Sequence, residues 1–107
     1  MVDPLEPLRR DAERISRALG IGNPMARTKE VLKLEMRIPL ELLWKDEKAH
    51  LDRLTEEIKV RGITEPITIR VRKDGSMIVW DGLHRLAVAQ NLGLEEIPVI
   101  YEQMRQL

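Results

Sequence analysis

Met77-Ile78-Val79-Trp80 constrains the fold of this chain more than any other segment. Four consecutive apolar residues offer no polar face, so a strand here must be covered on both sides and lie inside a sheet. Lys73-Asp74-Gly75-Ser76 precedes it, and an Asp-Gly pair in a short loop marks a hairpin, because glycine takes the positive φ that tight turns need. The pattern therefore predicts a hairpin of Ile67–Arg72 with Met77–Trp80. A short helix from Leu83 to about Asn91, stopped by Gly93, follows it, and then a last strand over Ile97–Tyr101. Pro98 donates no amide, so it fits only near the start of that strand or on an edge.

Upstream, Leu51, Leu54 and Ile58 stripe one face of a helix over Asp46–Arg61, with Asp46 as its cap and Gly62 as its left-handed stop. Val31, Leu34, Met36 and Ile38 alternate with charged residues, which predicts a strand over Val31–Leu40 with one wet face, closed by Pro39. Ile21–Lys29 reads as a linker, and Pro7–Leu19 as a helix with a thin apolar stripe. The expected organisation is an N-terminal helix and linker over residues 1–30 and a domain over 31–107. The fold class is α+β, with helices packed on a small mixed sheet.

Composition narrows the function. The chain has 107 residues, 18 Lys plus Arg and 18 Asp plus Glu, so a single domain with locally placed anion contacts is expected rather than a nucleic-acid coat, whose affinity comes from accumulated positive charge. The 34% charged content of both signs suits the surface ion-pair networks of a thermophile. With no cysteine, disulfides, thiolate chemistry and Cys-ligated zinc are excluded, and with two histidines a dedicated zinc site is not expected. No apolar run reaches membrane-span length and the first residues lack a signal-peptide pattern, so a cytoplasmic protein without membrane attachment is expected.

The chemistry concentrates at Asp81-Gly82-Leu83-His84-Arg85, between a buried strand and a helix. The first turn of a helix has amides without partners and a dipole that favours negative charge. Gly82 lets an anion approach the backbone, and Arg85 brings a planar fork of donors suited to phosphate. His84 can donate to an oxygen or move a proton. Asp81 can cap the helix, hold a metal bridged to phosphates, or accept a proton from a hydroxyl.

The series of helix, Gly62-Ile63-Thr64-Glu65-Pro66-Ile67, hairpin, apolar strand, Gly82-Leu83-His84-Arg85, helix, Leu92-Gly93 and Ile97-Pro98-Val99 resembles the N-terminal domain of the ParB/sulfiredoxin superfamily over about Lys33–Tyr101. The resemblance implies a nucleotide pocket, with ATP, ADP or CTP as ligand and Mg2+ as an accompanying ion. Gly62, Glu65 and Pro66 match its first box, and Gly82, Leu83, His84 and Arg85 match its triphosphate box, which in partitioning proteins is usually Gly-Glu-Arg-Arg. Sulfiredoxins carry Gly-Cys-His-Arg there; Leu83 takes the place of their catalytic cysteine, and sulfinic acid reduction is excluded because no thiolate exists. By the same resemblance, Glu65, Asp81 and His84 are the candidate catalytic residues and Asp81 the candidate metal ligand.

Three functions follow from this resemblance: a nucleotide- or phosphate-binding module with a regulatory or DNA-partition role, a small phosphotransferase of the free-serine-kinase type, and a ParB-like nuclease. DNA, a protein partner or a second copy of the chain are the implied macromolecular partners. With six residues after Tyr101, no helix-turn-helix is expected beyond it. Elsewhere the residues read as structure. His50 is expected on a helix surface, Trp80 in the core or walling the site, and Trp44 in the core or a dimer contact. Arg61, Arg70, Arg72 and Lys73 read as a solvated face.

Overall fold

The computed structural model describes residues 24–104. In chain order the elements are β1 (Met25–Arg27), α1 (Thr28–Val31), β2 (Glu35–Met36), α2 (Leu40–Asp46), α3 (Lys48–Arg61), β3 (Ile67–Val71), β4 (Met77–Asp81), α4 (Leu83–Leu92) and β5 (Glu96–Gln103). The five strands form one mixed sheet in the order β1-β5-β3-β4-β2. The β3–β4 and β1–β5 pairs are antiparallel, whereas β3–β5 and β2–β4 are parallel. The architecture is thus the expected α+β one.

The hairpin forms as the Asp-Gly pair requires. Gly75 has φ 90°, and Asp74 Oδ1 accepts from the Ser76 amide at 2.9 Å and the Ser76 hydroxyl at 2.6 Å. Along β3, buried Ile67, Ile69 and Val71 alternate with half-buried Thr68 and Arg70, the period of a pleated strand. β4 lies between β3 and β2, and its Ile78 and Val79 are both buried, as a run without a polar face predicts. Ile69 pairs with Val79 but Thr68 with Asp81, so Trp80 is an extra residue. Such a bulge increases local twist and re-aims the residues that follow.

α4 is the central helix. Leu83, Leu86, Ala87, Val88 and Ala89 are all buried, a nearly all-round burial that marks a helix enclosed by other elements. It packs on α1, α2 and α3 and on β3. Ile67, Ile69, Val79, Ile97 and Val99 from the sheet join Leu43, Leu51 and Ile58 from the helices in one core around it.

Several expectations give way, and others fall outside the described residues. The Pro7–Leu19 helix and residues 21–23 of the linker lie outside the described residues. The rest of the linker is ordered into the structure: Met25, Ala26 and Arg27 pair with Pro98, Ile97 and Glu96, and Thr28 starts α1. The Val31–Leu40 strand shrinks to Glu35–Met36. Val31 and Leu34 are three apart, a spacing that a helical turn satisfies equally, and the Leu34 amide bonds to the Val31 carbonyl at 3.1 Å. Pro39, with φ −60°, opens α2 instead of closing a strand, in keeping with its preset dihedral. Asp46 ends α2 and caps nothing; Glu47, at φ −129° and ψ 35°, separates α2 from α3. Burial of Leu40 and Leu43 extends helix upstream of the expected start, because tertiary packing outweighs a capping preference.

Candidate functional site

A cavity of about 300 Å³ opens between one face of α3, the loop after it and the start of α4. His50, Leu54, Ile58 and Arg61, at helical spacing on α3, form one wall, Gly62–Glu65 the second, and His84 and Arg85 the third. The two glycine-containing segments are thereby brought together although 20 residues separate Glu65 from Arg85 in sequence. Among the described residues no cluster of three or more His, Asp and Glu could hold a metal ion, and no helix is long and apolar enough to cross a membrane.

Gly62 ends α3 with φ 70° and ψ −171°, an extended mirror-image conformation open almost only to glycine. Four residues later Pro66 leads into β3 at Ile67. Gly82 has φ 97° and ψ 20°. A Cβ there would stand 3.0 Å from Ile67 Cγ1, 3.2 Å from Ile67 Cα and 3.0 Å from Arg85 Nη2. Strand, turn and guanidinium are therefore in contact at this one position.

The first intrahelical bond of α4 runs from the Leu86 amide to the Gly82 carbonyl at 2.9 Å, and no side chain caps the helix. The amides of Leu83, His84 and Arg85 consequently lack intrahelical acceptors. Asp81 does not serve as the cap; its Oδ1 accepts from the Gly82 amide at 2.9 Å, one residue too early to satisfy the helix. The positive helix end stays available to an anion.

Arg85 Nη1 donates to Glu65 Oε2 at 3.2 Å, and Nη2 lies 3.8 Å from Asp81 Oδ2. The guanidinium is thus not an open fork as the sequence suggests; it is held by the two acids named as candidate catalytic residues. His84 Nε2 contacts Glu47 Oε2 at 2.9 Å, and its ring meets that of His50 edge-on at 5.0 Å. Of the predicted residues, Gly62, Glu65, His84 and Arg85 line the cavity. Asp81 reaches it only through Arg85. Pro66, Gly82 and Leu83 do not line it; Gly82 and Leu83 are buried.

His50, Arg61 and Glu47 were not expected here. Positions 50, 54, 58 and 61 share a helix face by periodicity alone, but only the packing of α3 on α4 tells which face meets the site. Trp80 neither fills the core nor walls the cavity. It carries Arg70 over its ring at 4.0 Å and Arg37 at 5.0 Å, an arrangement typical of cation–π attraction. Arg70 also pairs with Glu102, and Arg72 with Glu35, so these two share a partly solvated strand face, whereas Arg61 of the expected cluster lines the cavity instead.

A sequence profile of the ParB N-terminal domain matches residues 29–107. The chain belongs to the ParB N-terminal domain family. It is 29% identical over 80 residues to the chromosome-partitioning protein ParB of Myxococcus xanthus, covering 67% of this chain and 27% of that protein. It therefore spans about a quarter of the length of that relative. Among solved structures, the ParB-type fold superposes on sulfiredoxin from Arabidopsis thaliana with TM-score 0.56 and 22% identity, over 75% of this chain and 83% of that one. C-terminally truncated chromosome-partitioning protein ParB from Caulobacter crescentus, complexed with CTP-γ-S, gives TM-score 0.57 and 23% identity over 79% of this chain and 46% of that one. At these identities the likeness establishes the shared fold. The ParB-type architecture seen here is thus common to a partitioning protein and a sulfiredoxin.

Proposed function

We propose that this ParB-type domain is a nucleotide-binding module whose phosphates sit at the start of α4, with a regulatory or partition-related role in the cytoplasm. One observation carries the reading: the Gly62–Glu65 loop and the uncapped, glycine-led start of α4 enclose a single cavity with Arg85 on its wall. Uncapped amides, a helix dipole and a guanidinium together are suited to phosphate oxygens, and Leu54, Ile58 and Ile63 supply an apolar wall for a flat ring.

The family relative complexed with CTP-γ-S makes CTP the first candidate, ahead of ATP and ADP. A carboxylate beside phosphates is a usual magnesium arrangement, since that ion keeps waters and takes one or two protein oxygens. Asp81, anchored by the Gly82 amide, fits this role, and the ion would neutralise phosphate charge. Phosphoryl transfer or strand cleavage would need a carboxylate free to take a proton. Here both acids lie on Arg85 and His84 lies on Glu47, an arrangement that favours binding over catalysis. DNA or a protein partner would then respond to the occupied state.

Isothermal calorimetry with CTP, ATP and ADP, with and without magnesium, tests the proposal. Saturable binding of at least one nucleotide is expected, and Arg85→Ala should remove it. No heat from any of them at millimolar concentration would refute it.

A further inference from the structure

Arg85 already has acid partners within the protein. Its side chain is 18% exposed, whereas those of Glu65 and Asp81 are 82% and 73% exposed. The cation is built into the wall, and the acids lie on it from the solvent side. They are held differently. Asp81 is anchored by the bond from the Gly82 amide to its Oδ1 and sits at the longer distance from Arg85. Glu65 follows the extended turn at Gly62, and its carboxylate bonds to Arg85 at 3.2 Å.

We infer that Glu65 sets the affinity of the site: its carboxylate takes the place of phosphate oxygens on Arg85 and leaves when a phosphate arrives, while Asp81 stays. The inference rests on the anion-binding reading above. Three physical points support it. An ion pair with one partner this exposed adds little to folding, so the contact can break without cost to the fold. A guanidinium serves one planar, bidentate acceptor best, so a phosphate and the Glu65 carboxylate compete for the same donors. Finally, Glu57 and Glu65 balance Arg61 and Arg85 among the residues that line the cavity, so an incoming polyanion gains no net attraction from these side chains until Glu65 swings away. Glu65 is thus a specificity-determining residue that weakens anion binding. A base or ligand role would give the opposite sign.

The test is calorimetry of the full chain with CTP and with inorganic triphosphate in EDTA, comparing wild type with Glu65→Gln, Glu65→Asp and Asp81→Asn. Loss of an exposed pair together with its repulsion should tighten binding roughly three- to fivefold in Glu65→Gln. Glu65→Asp, which keeps the charge, should stay close to wild type, and Asp81→Asn should change less than Glu65→Gln. Equal or weaker binding by Glu65→Gln, when wild type binds, overturns the inference; where binding requires magnesium, the same comparison with magnesium decides. If neither protein binds either probe with or without magnesium, the anion-binding reading itself fails, and this inference falls with it.

Discussion

Replacing Gly82 by alanine separates the packing account of the site from a mere preference for a flexible turn. The residue has φ 97°, and a left-handed conformation costs an L-residue about 1–2 kcal/mol. The added Cβ would stand 3.0 Å from Ile67 Cγ1 and 3.2 Å from Ile67 Cα. Ile67 is fully buried and pairs with Val99 in the interior of the sheet, so it cannot retreat, whereas the end of Arg85 can. Overpacking against such a neighbour adds about 1–3 kcal/mol, and the sum is about 2–5 kcal/mol out of the ~5–15 kcal/mol typical of a domain. Gly93 is the internal control: it has φ 70°, and nothing lies within 4 Å of the position a Cβ would take there. Gly93→Ala should therefore show only the backbone cost, about 1–2 kcal/mol. Urea unfolding read by circular dichroism measures both, and the two midpoints should separate clearly at unchanged m-value. Equal losses at the two glycines would refute the reasoning. So would full relief of the Gly82→Ala penalty by Arg85→Ala, because that would make the flexible guanidinium and not Ile67 the obstacle.

Other outcomes follow from the same geometry. Arg85→Ala should abolish nucleotide binding in calorimetry while costing at most about 1 kcal/mol of stability, because its acid partners are solvent-exposed. Leu86→Ala, at a fully buried position on the central helix, should cost about 2–5 kcal/mol in urea unfolding. The Ser76 hydroxyl, then its amide, hold the Asp74 carboxyl below its ordinary range. A depressed carboxylate stabilises the fold above its unfolded value and loses that contribution as pH falls through its folded value. NMR titration should accordingly find Asp74 below an ordinary aspartate, and Ser76→Ala should move it back up. A Val60→Lys change, at an 83% exposed helix position, should alter stability by no more than about 0.5 kcal/mol.

Much of the second half of the chain was legible in the sequence because its signals are local. The Asp74-Gly75 turn, the apolar Met77–Trp80 run and Gly93 each depend on backbone conformation or on a short periodic pattern, and the structure places hairpin, strand and helix within a residue or two of expectation. Between Val31 and Asp46 the signals conflict. Apolar spacings there fit a strand or a helical turn equally, and burial of Val31, Leu40 and Leu43 against α4 resolves them toward helix. At the site, the residue types of Gly62, Glu65, Gly82, His84 and Arg85 could be singled out from their order. Their pairing could not. That Arg85 faces Glu65 rather than solvent, and that His84 takes Glu47, depends on how α2, α3 and α4 pack.

Residue order alone, then, was enough to specify a cysteine-free α+β chain with a glycine-led helix following a buried strand, since turn chemistry and periodicity act over a few residues. Packing in three dimensions was needed to bring the α3 face bearing His50 and Arg61 onto that helix, and to rest Arg85 on the protein's own acids. The Glu65–Arg85 and Glu47–His84 contacts join residues 20 and 37 positions apart, and side-chain charge acts through space, so these partners are chosen by packing and not by neighbours in the chain.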